Sequence, residues 1–444
     1  MVNSEKLWLD RKYRSRSHAF DIASDLMAKG KKKSKKKDAA LIELNVQLLK
    51  RLLRLYEQYC TEQSSIPSVE VTKTIRALFE EGDSLSKVFL RPNPTKIVKP
   101  AEGADQIGLT TEPPPIIQTY VRPFLRALLT CRLSALKEFS VWNICMDLLD
   151  CIELGNYIKL ETTVLQTVSL YDCLLQPDPL YRLSASFNIC RTLRIVNLDF
   201  NEFGDEGCLL LCNNLVGNQC ITRLSLTYCD LGPVCGAPLG RLLVQTALAE
   251  IYLDGNHFGC EGAYDLIKLL LIDCEKYNID KEEKLRADME SKIQEAALRV
   301  QQGLPAELTD AEKKERKKRK KKKKKKLSLD DMPPCGPFVT KIHLFDNEID
   351  CLQPDGFAVV QKTVDAFARL IEISEELEEL DLDENVIGHV CGGIILDALK
   401  CRKERKSKKI KINVSEKIDQ FVFADILKLS AKMKKKRKRG KKKK

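Results

Sequence analysis

The 444-residue chain has four histidines, two tryptophans, no C-x-x-C pair and no apolar run long enough to span a bilayer. Each shortage removes a class of function. His18, His257, His343 and His389 stand at no metal-ligand spacing from one another or from a cysteine, so no metal ligands are expected. Gly30-Lys31 lacks the upstream glycine of a phosphate-binding loop, which argues against nucleotide switching. No paired titratable groups suggest catalytic residues, and no cofactor is implied. Met1 to Arg16 is charged rather than apolar, unlike a signal peptide, and apolar stretches fall short of the roughly 18 residues that a span requires. The 17 cysteines are odd in number and scattered, the pattern of reduced thiols, with Cys208 and Cys212 on one helical face as small core residues. A soluble intracellular protein is expected.

What the chain does have is a recurring frame, L-x-x-L-x-L-x-x-N/C-x-L. It reads Leu165, Val168, Leu170, Cys173, Leu175, then Leu193, Val196, Leu198, Asn201, Phe203, then Ile221, Leu224, Leu226, Cys229, Leu231, then Leu248, Ile251, Leu253, Asn256, Phe258. The ninth position alternates Cys and Asn every 27 or 28 residues. Two later copies, Val339, Ile342, Leu344, Asn347, Ile349 and Leu377, Leu380, Leu382, Asn385, Ile387, follow larger gaps. A weaker copy starts at Leu136 with Phe139, Val141 and Ile144, where Trp142 and Cys145 fit poorly. A final strand is expected through Ile410, Ile412 and Val414, closed by a helix around Phe421 to Leu429.

The period falls in the range of leucine-rich repeats, in which L-x-L is a short strand and the ninth side chain satisfies the backbone of the turn that leaves it. Helical spacing follows each frame, as in Gly207, Leu210, Leu211 and Leu215. One unit cannot bury its own apolar face, so neighbours must stack and the ends must be capped. The fold class expected is an α/β leucine-rich repeat solenoid, a horseshoe with a helical N-terminal region and a disordered lysine-rich insert and tail.

The segments expected are a disordered basic N-terminus (1–37), a helical region (38–83) and a linker (84–115) rich in proline. A cap with the first repeats (116–274), a charged lysine-rich insertion (275–335), the C-terminal repeats with their cap (336–431) and a basic tail (432–444) follow. Within the helical region, Leu41, Leu44, Leu48, Leu52 and Leu55 make one apolar stripe, and a second helix runs from Ser68 to Glu81 and stops at Gly82. Lys313 to Lys326 holds 13 basic residues and one acid. With Lys31 to Lys37 and Lys432 to Lys444 these runs outweigh the chain's net charge of +12, so the remaining body is acidic.

The outward positions of the strands gather aromatics, Tyr171, Phe200, Tyr228, Tyr252 and Phe345, among carboxylates, Asp172, Asp199, Glu250, Asp254, Asp346, Glu379, Asp381, Asp383 and Glu384. Aromatic anchors with acidic surroundings suit a protein partner with a basic surface on the concave face. The lysine runs suit tubulin or another acidic surface, or a nucleic-acid backbone, and no interleaved aromatics support base reading.

The Cys and Asn alternation, with Gly204-Asp205-Glu206-Gly207 after the frame, resembles the ribonuclease-inhibitor-like subfamily of leucine-rich repeat proteins across about Leu136 to Val414. The order of repeats, lysine-rich insertion, Lys341-Ile342-His343-Leu344 and Glu379-Leu380-Asp381-Leu382 looks like that of axonemal leucine-rich repeat proteins. The resemblance implies a non-catalytic scaffold that holds another protein, placed in the cytoplasm at a cilium, flagellum or other part of the cytoskeleton. The alternative is a nuclear or ribonucleoprotein-associated factor whose lysine tails contact phosphates.

Overall fold

A computed structural model describes residues 34–93, 118–302, 336–350, 352 and 356–430. Apolar side chains alternate along each frame, so one face of every strand turns inward and the strands stack side by side. They form one parallel sheet in sequence order. The strands are β1 (Lys87–Leu90), β2 (Glu138–Trp142), β3 (Thr167–Tyr171), β4 (Ile195–Asn197), β5 (Arg223–Ser225), β6 (Glu250–Tyr252), β7 (Lys341–His343), β8 (Glu379–Leu382) and β9 (Lys411–Val414). Register follows the frame: Val168 lies beside Val196, Leu224 beside Ile251, and Ile251 beside Ile342 across the insertion.

Helices α1 (Ser34–Glu62) and α2 (Val69–Glu81) precede the sheet. Among the described residues one α-helix follows each strand: α3 (Arg122–Cys131), α4 (Leu148–Ile158), α5 (Pro177–Ser184), α6 (Gly204–Leu215), α7 (Gly236–Gln245), α8 (Gly259–Gln301), α9 (Gly356–Ile373), α10 (His389–Glu404) and α11 (Gln420–Ser430). A short 3-10 turn, Pro233–Cys235, leads into α7. The core is continuous from Leu49 to Ile426. Helices α7 and α8 cross so closely that a Cβ on Gly236 would stand 2.2 Å from the Gly262 carbonyl oxygen. Only glycine permits that approach.

Four expectations change. Strand β1 lies inside the stretch read as linker, and its residues Leu85, Val88, Leu90 and Asn93 complete the same frame. Pro92 and Pro94 suggested a linker, yet Pro92 follows the strand, where its missing N–H breaks no ladder bond. Helix α1 starts at Ser34, ahead of the expected boundary at 38, and it buries Leu49, Leu52, Leu53 and Tyr56 while leaving Leu41 and Leu44 exposed. Helix α8 runs without a break across the expected boundary at 275. Lys313 to Lys326 and Lys432 to Lys444 lie outside the described residues.

Buried asparagines lock neighbouring repeats. Asn256 Oδ1 accepts from the Cys229 and Leu231 backbone N–H groups at 3.0 and 3.1 Å. Its Nδ2 donates to the Leu226 and Leu253 carbonyls at 2.9 and 2.7 Å. Asn201 repeats the arrangement on Cys173, Leu175, Leu170 and Leu198. Asn93 does likewise toward the N-terminal helices, accepting from Val69 N–H and donating to the Pro67 carbonyl.

The C-terminal cap is tied by Arg402, 2% exposed, whose guanidinium donates to the Ile371, Ser374, Leu377 and Lys408 carbonyls. Its cationic group meets the carbonyl end of α9, where a helix carries partial negative charge. We expect Arg402→Leu to lower the unfolding free energy by about 3 kcal/mol, because buried carbonyls lose a charged donor. Asn256→Ala should cost about 2–3 kcal/mol, because two buried N–H groups and two buried carbonyls lose their partner. Urea titration followed by circular dichroism measures both, and no change in either would show that these bonds are not what holds the repeats in register.

Candidate functional site

In a parallel sheet of repeats held in register, equivalent outward positions form rows across the strands. The row nearest the strand starts is charge-paired. Lys87 meets Glu138 at 2.8 Å, Arg223 meets Glu250 at 2.6 Å, Lys341 meets Glu250 at 3.5 Å and Lys411 meets Glu379 at 2.5 Å. The Tyr252 hydroxyl donates to Glu250 at 3.1 Å and accepts from Lys341 at 3.3 Å. His343, 15% exposed, packs against the Tyr252 ring and has Asp254, Glu379 and Asp381 within 3.9 Å. Asp381 accepts from Asn413 Nδ2 at 2.5 Å and from Asp383 N–H at 3.1 Å.

Two more acids of the face hold backbone. Asp199 accepts from Thr227 N–H and Asp254 from Phe345 N–H, each at 3.0 Å. Burial pushes both carboxyl groups above the ordinary aspartate range. Of the acids expected to meet a partner, Asp199, Glu250, Asp254, Glu379 and Asp381 are therefore engaged within the solenoid. Tyr171 is half-buried, and its hydroxyl accepts from Asn197 Nδ2 at 3.1 Å.

The exposed part of the face is the turn that follows the strands. The residue before the buried turn position has a left-handed backbone in repeat after repeat: Asn143 before Ile144, and Asp172, Phe200, Tyr228, Gly255, Asp346 and Glu384 before an Asn or Cys, with φ from 50° to 64°. Its N–H donates to the carbonyl of the preceding position in the next repeat, as Phe200 does to Thr227 at 2.8 Å and Tyr228 to Asp254 at 2.8 Å. Asn, Asp and Gly tolerate this conformation, whereas bulky residues are rare in it. Phe200 and Tyr228 nonetheless occupy two adjacent turns, 52% and 43% exposed. Their rings stack at 5.3 Å with planes 12° apart. Tyr228 lies against Gly255, where a Cβ would stand 2.1 Å from the ring.

Carboxylates surround this pair. Asp172 and Asp346 occupy turns of the same row, and Glu202, Asp230 and Glu348 are exposed two positions further along. His257 bridges the latter two, with Nδ1 at 2.7 Å from Glu348 and Nε2 at 3.8 Å from Asp230. Phe345 is half-buried, Asp383 is half-buried and accepts from Glu384 N–H, and Glu384 lies 3.7 Å from Lys417. Gly255, Glu202, Asp230, His257 and Glu348 escaped the sequence reading, although their offset from each buried Asn or Cys would have found them.

Among the described residues no group of three or more His, Cys, Asp or Glu is placed to hold a metal ion, and no helix is long and apolar enough to cross a membrane. No disulfide joins the described cysteines.

In Asp254→Ala the Phe345 N–H loses its acceptor, and a loss of about 1–2 kcal/mol is expected. Asp254→Asn keeps an acceptor and should retain most of the stability. Because burial raises the Asp254 pKa, the folded state holds its proton longer than the unfolded chain, and stability falls as pH rises from the unfolded value through the raised one. Asp254→Asn should flatten that slope in thermal melts taken across acidic pH. A slope identical to the parent's would remove Asp254 as its source.

Residues 190–212 and 217–239 match the Leucine Rich repeat family. The chain is 31% identical to the ribonuclease inhibitor of Sus scrofa over 28% of its own length and 29% of that protein. It is 34% identical to the Mus musculus ribonuclease inhibitor over 21% of each. Over 24% of its length it is 32% identical to human NACHT, LRR and PYD domains-containing protein 14, covering 10% of that protein. The chain thus spans less than a third of each of these relatives. Together with the parallel sheet of nine strands among the described residues and the Cys and Asn turns, these matches make the chain similar to ribonuclease-inhibitor-like leucine-rich repeat proteins.

Proposed function

We propose that the chain is a non-catalytic scaffold that docks a protein partner on the turn edge of its sheet, with the Phe200–Tyr228 stack as anchor. The observation that carries this reading is the pair itself. Two large aromatics stand exposed in a left-handed backbone, a conformation that costs on the order of 1–3 kcal/mol per residue. Exposed in this way they contribute little to the core, so their use is external. Exposed aromatic faces with carboxylates around them suit lysine or arginine side chains, through cation–π contact and ion pairing. The partner is therefore a protein with a basic surface.

The relatives support the coarse reading, because an inhibitor of ribonuclease is by name a protein that acts on another protein. The setting we propose is a ciliary or flagellar axoneme or another microtubule-based assembly, on the resemblance in organisation noted above. The lysine-rich runs of the sequence suit an acidic surface such as tubulin.

Phe200→Ala with Tyr228→Ala should leave the melting temperature within a few degrees of the parent and weaken partner capture by roughly tenfold or more. Gly255→Asn should act in the same direction by displacing the Tyr228 ring. Proximity labelling in ciliated cells identifies the partner, and imaging of the tagged chain beside tubulin and a nuclear stain tests the setting. An unchanged partner set in the double variant would refute the anchor. A nuclear signal would replace the axonemal setting with the ribonucleoprotein alternative.

A further inference from the structure

The C-terminal cap carries a basic cluster separate from the long lysine runs. Seven of the ten residues Lys400 to Lys409 are basic, and Glu404 is the one acid among them. The last turn of α10, the loop into β9 and the end of α11 enclose a cavity of about 350 Å³. Five cationic side chains line it, Arg402, Lys403, Lys408, Lys409 and Lys428, and no carboxylate does. Leu399, Ile410 and Leu429 give it apolar walls.

The positive charge is only partly answered. Lys408 reaches Glu376 at 2.8 Å and Lys428 reaches Asp425 at 3.0 Å. Exposed Lys403 and Lys409 make no ion pair among the described residues, and Arg402 meets carbonyls alone. Like charges converging on a concave surface with low-dielectric walls focus the field and raise the local concentration of anions. A bound anion would also relieve their mutual repulsion. The site is a pocket rather than a groove, at the small end of the range for small-molecule sites, and no aromatic side chain lines it for base stacking.

We infer that this cavity is a binding site for a compact polyphosphorylated ligand, of the class of a phosphorylated inositol, either free or as a lipid headgroup. Its lysines would meet the phosphates and its apolar walls would cover the ring. The inference is independent of the docking edge, which lies at the strand-end turns.

The test uses the full chain with inositol hexakisphosphate in calorimetry, and phosphatidylcholine vesicles with and without phosphatidylinositol bisphosphate in flotation. Lys403→Ser with Lys409→Ser should weaken saturable one-to-one binding by roughly tenfold or more, while Lys50→Ser with Lys159→Ser, which removes the same charge elsewhere, should leave it unchanged. The four lysines are exposed, so both double variants should melt with the parent. Binding of the hexakisphosphate identifies a free ligand, and binding confined to bisphosphate vesicles identifies a headgroup. The site is refuted if neither probe binds, if both double variants lose equal affinity as diffuse attraction would give, or if an acidic peptide competes equally well at matched charge.

Discussion

The structure depends on one buried interaction, the side chain that satisfies the backbone where each strand turns away. A chain leaving a strand inside an apolar stack has peptide groups that water cannot reach. An asparagine resolves this with an acceptor and two donors on one planar group. Asn201 and Asn256 accept from two N–H groups of the preceding turn and donate to carbonyls of both repeats. A cysteine cannot reproduce that pattern. Cys173 and Cys229 instead donate N–H groups to the following asparagine, while their thiols face the Tyr171 and Leu198 carbonyls at 3.3 Å. Asn201 and Asn256 each serve the cysteine turn behind them, and Asn385 serves the Asn347 turn in the same way.

The same turn builds the exposed edge. To bring the next residue inward, the position before it adopts a left-handed backbone and swings its side chain to the rim. Stability alone would favour Asn, Asp or Gly there, and most repeats comply. Phe200 and Tyr228 depart from that rule in adjacent repeats, and Gly255 beside them clears the room that the Tyr228 ring occupies. A local rule broken without benefit to the core is the mark of a surface used for something else.

The repeat frame was legible because period, apolar alternation and turn chemistry all point the same way. Helix α2 and its stop at Gly82, the closing helix, and the return of the frame after the insertion follow from it. Strand β1 was hidden by the prolines that follow it. The charge pairing of the sheet was hidden for a different reason: Glu250 is remote in sequence from Lys341, and only stacking in register makes them neighbours. Counting acids along the chain therefore overstated the acidity of the strand face. The basic cap escaped notice because its charges are interspersed with Glu404 and Ser407, whereas the lysine runs are unbroken.

The joint across the insertion lacks a bond that both of its neighbours have. Strands β6 and β7 pair in register, and Asn347 Nδ2 reaches back to the Leu253 carbonyl at 3.0 Å as its counterparts do. Its Oδ1, however, has no hydrogen-bond partner among the described residues. Cys229 and Leu231 offer their N–H groups to Asn256, and at the Asn256 turn the N–H of Gly259 goes to the Asn347 backbone carbonyl, as that of Gly204 goes to the Cys229 carbonyl. An unpaired buried acceptor costs about 1–3 kcal/mol, so this boundary lacks support that the neighbouring turns have. Compensation comes from the outer layer, where Asn278 bonds the Ile373 carbonyl, Arg369 pairs with Glu275 and Lys281 pairs with Glu375. The long excursion is tolerated at this point because helix α8 packs on α9 and carries part of the load that the strand turn gives up.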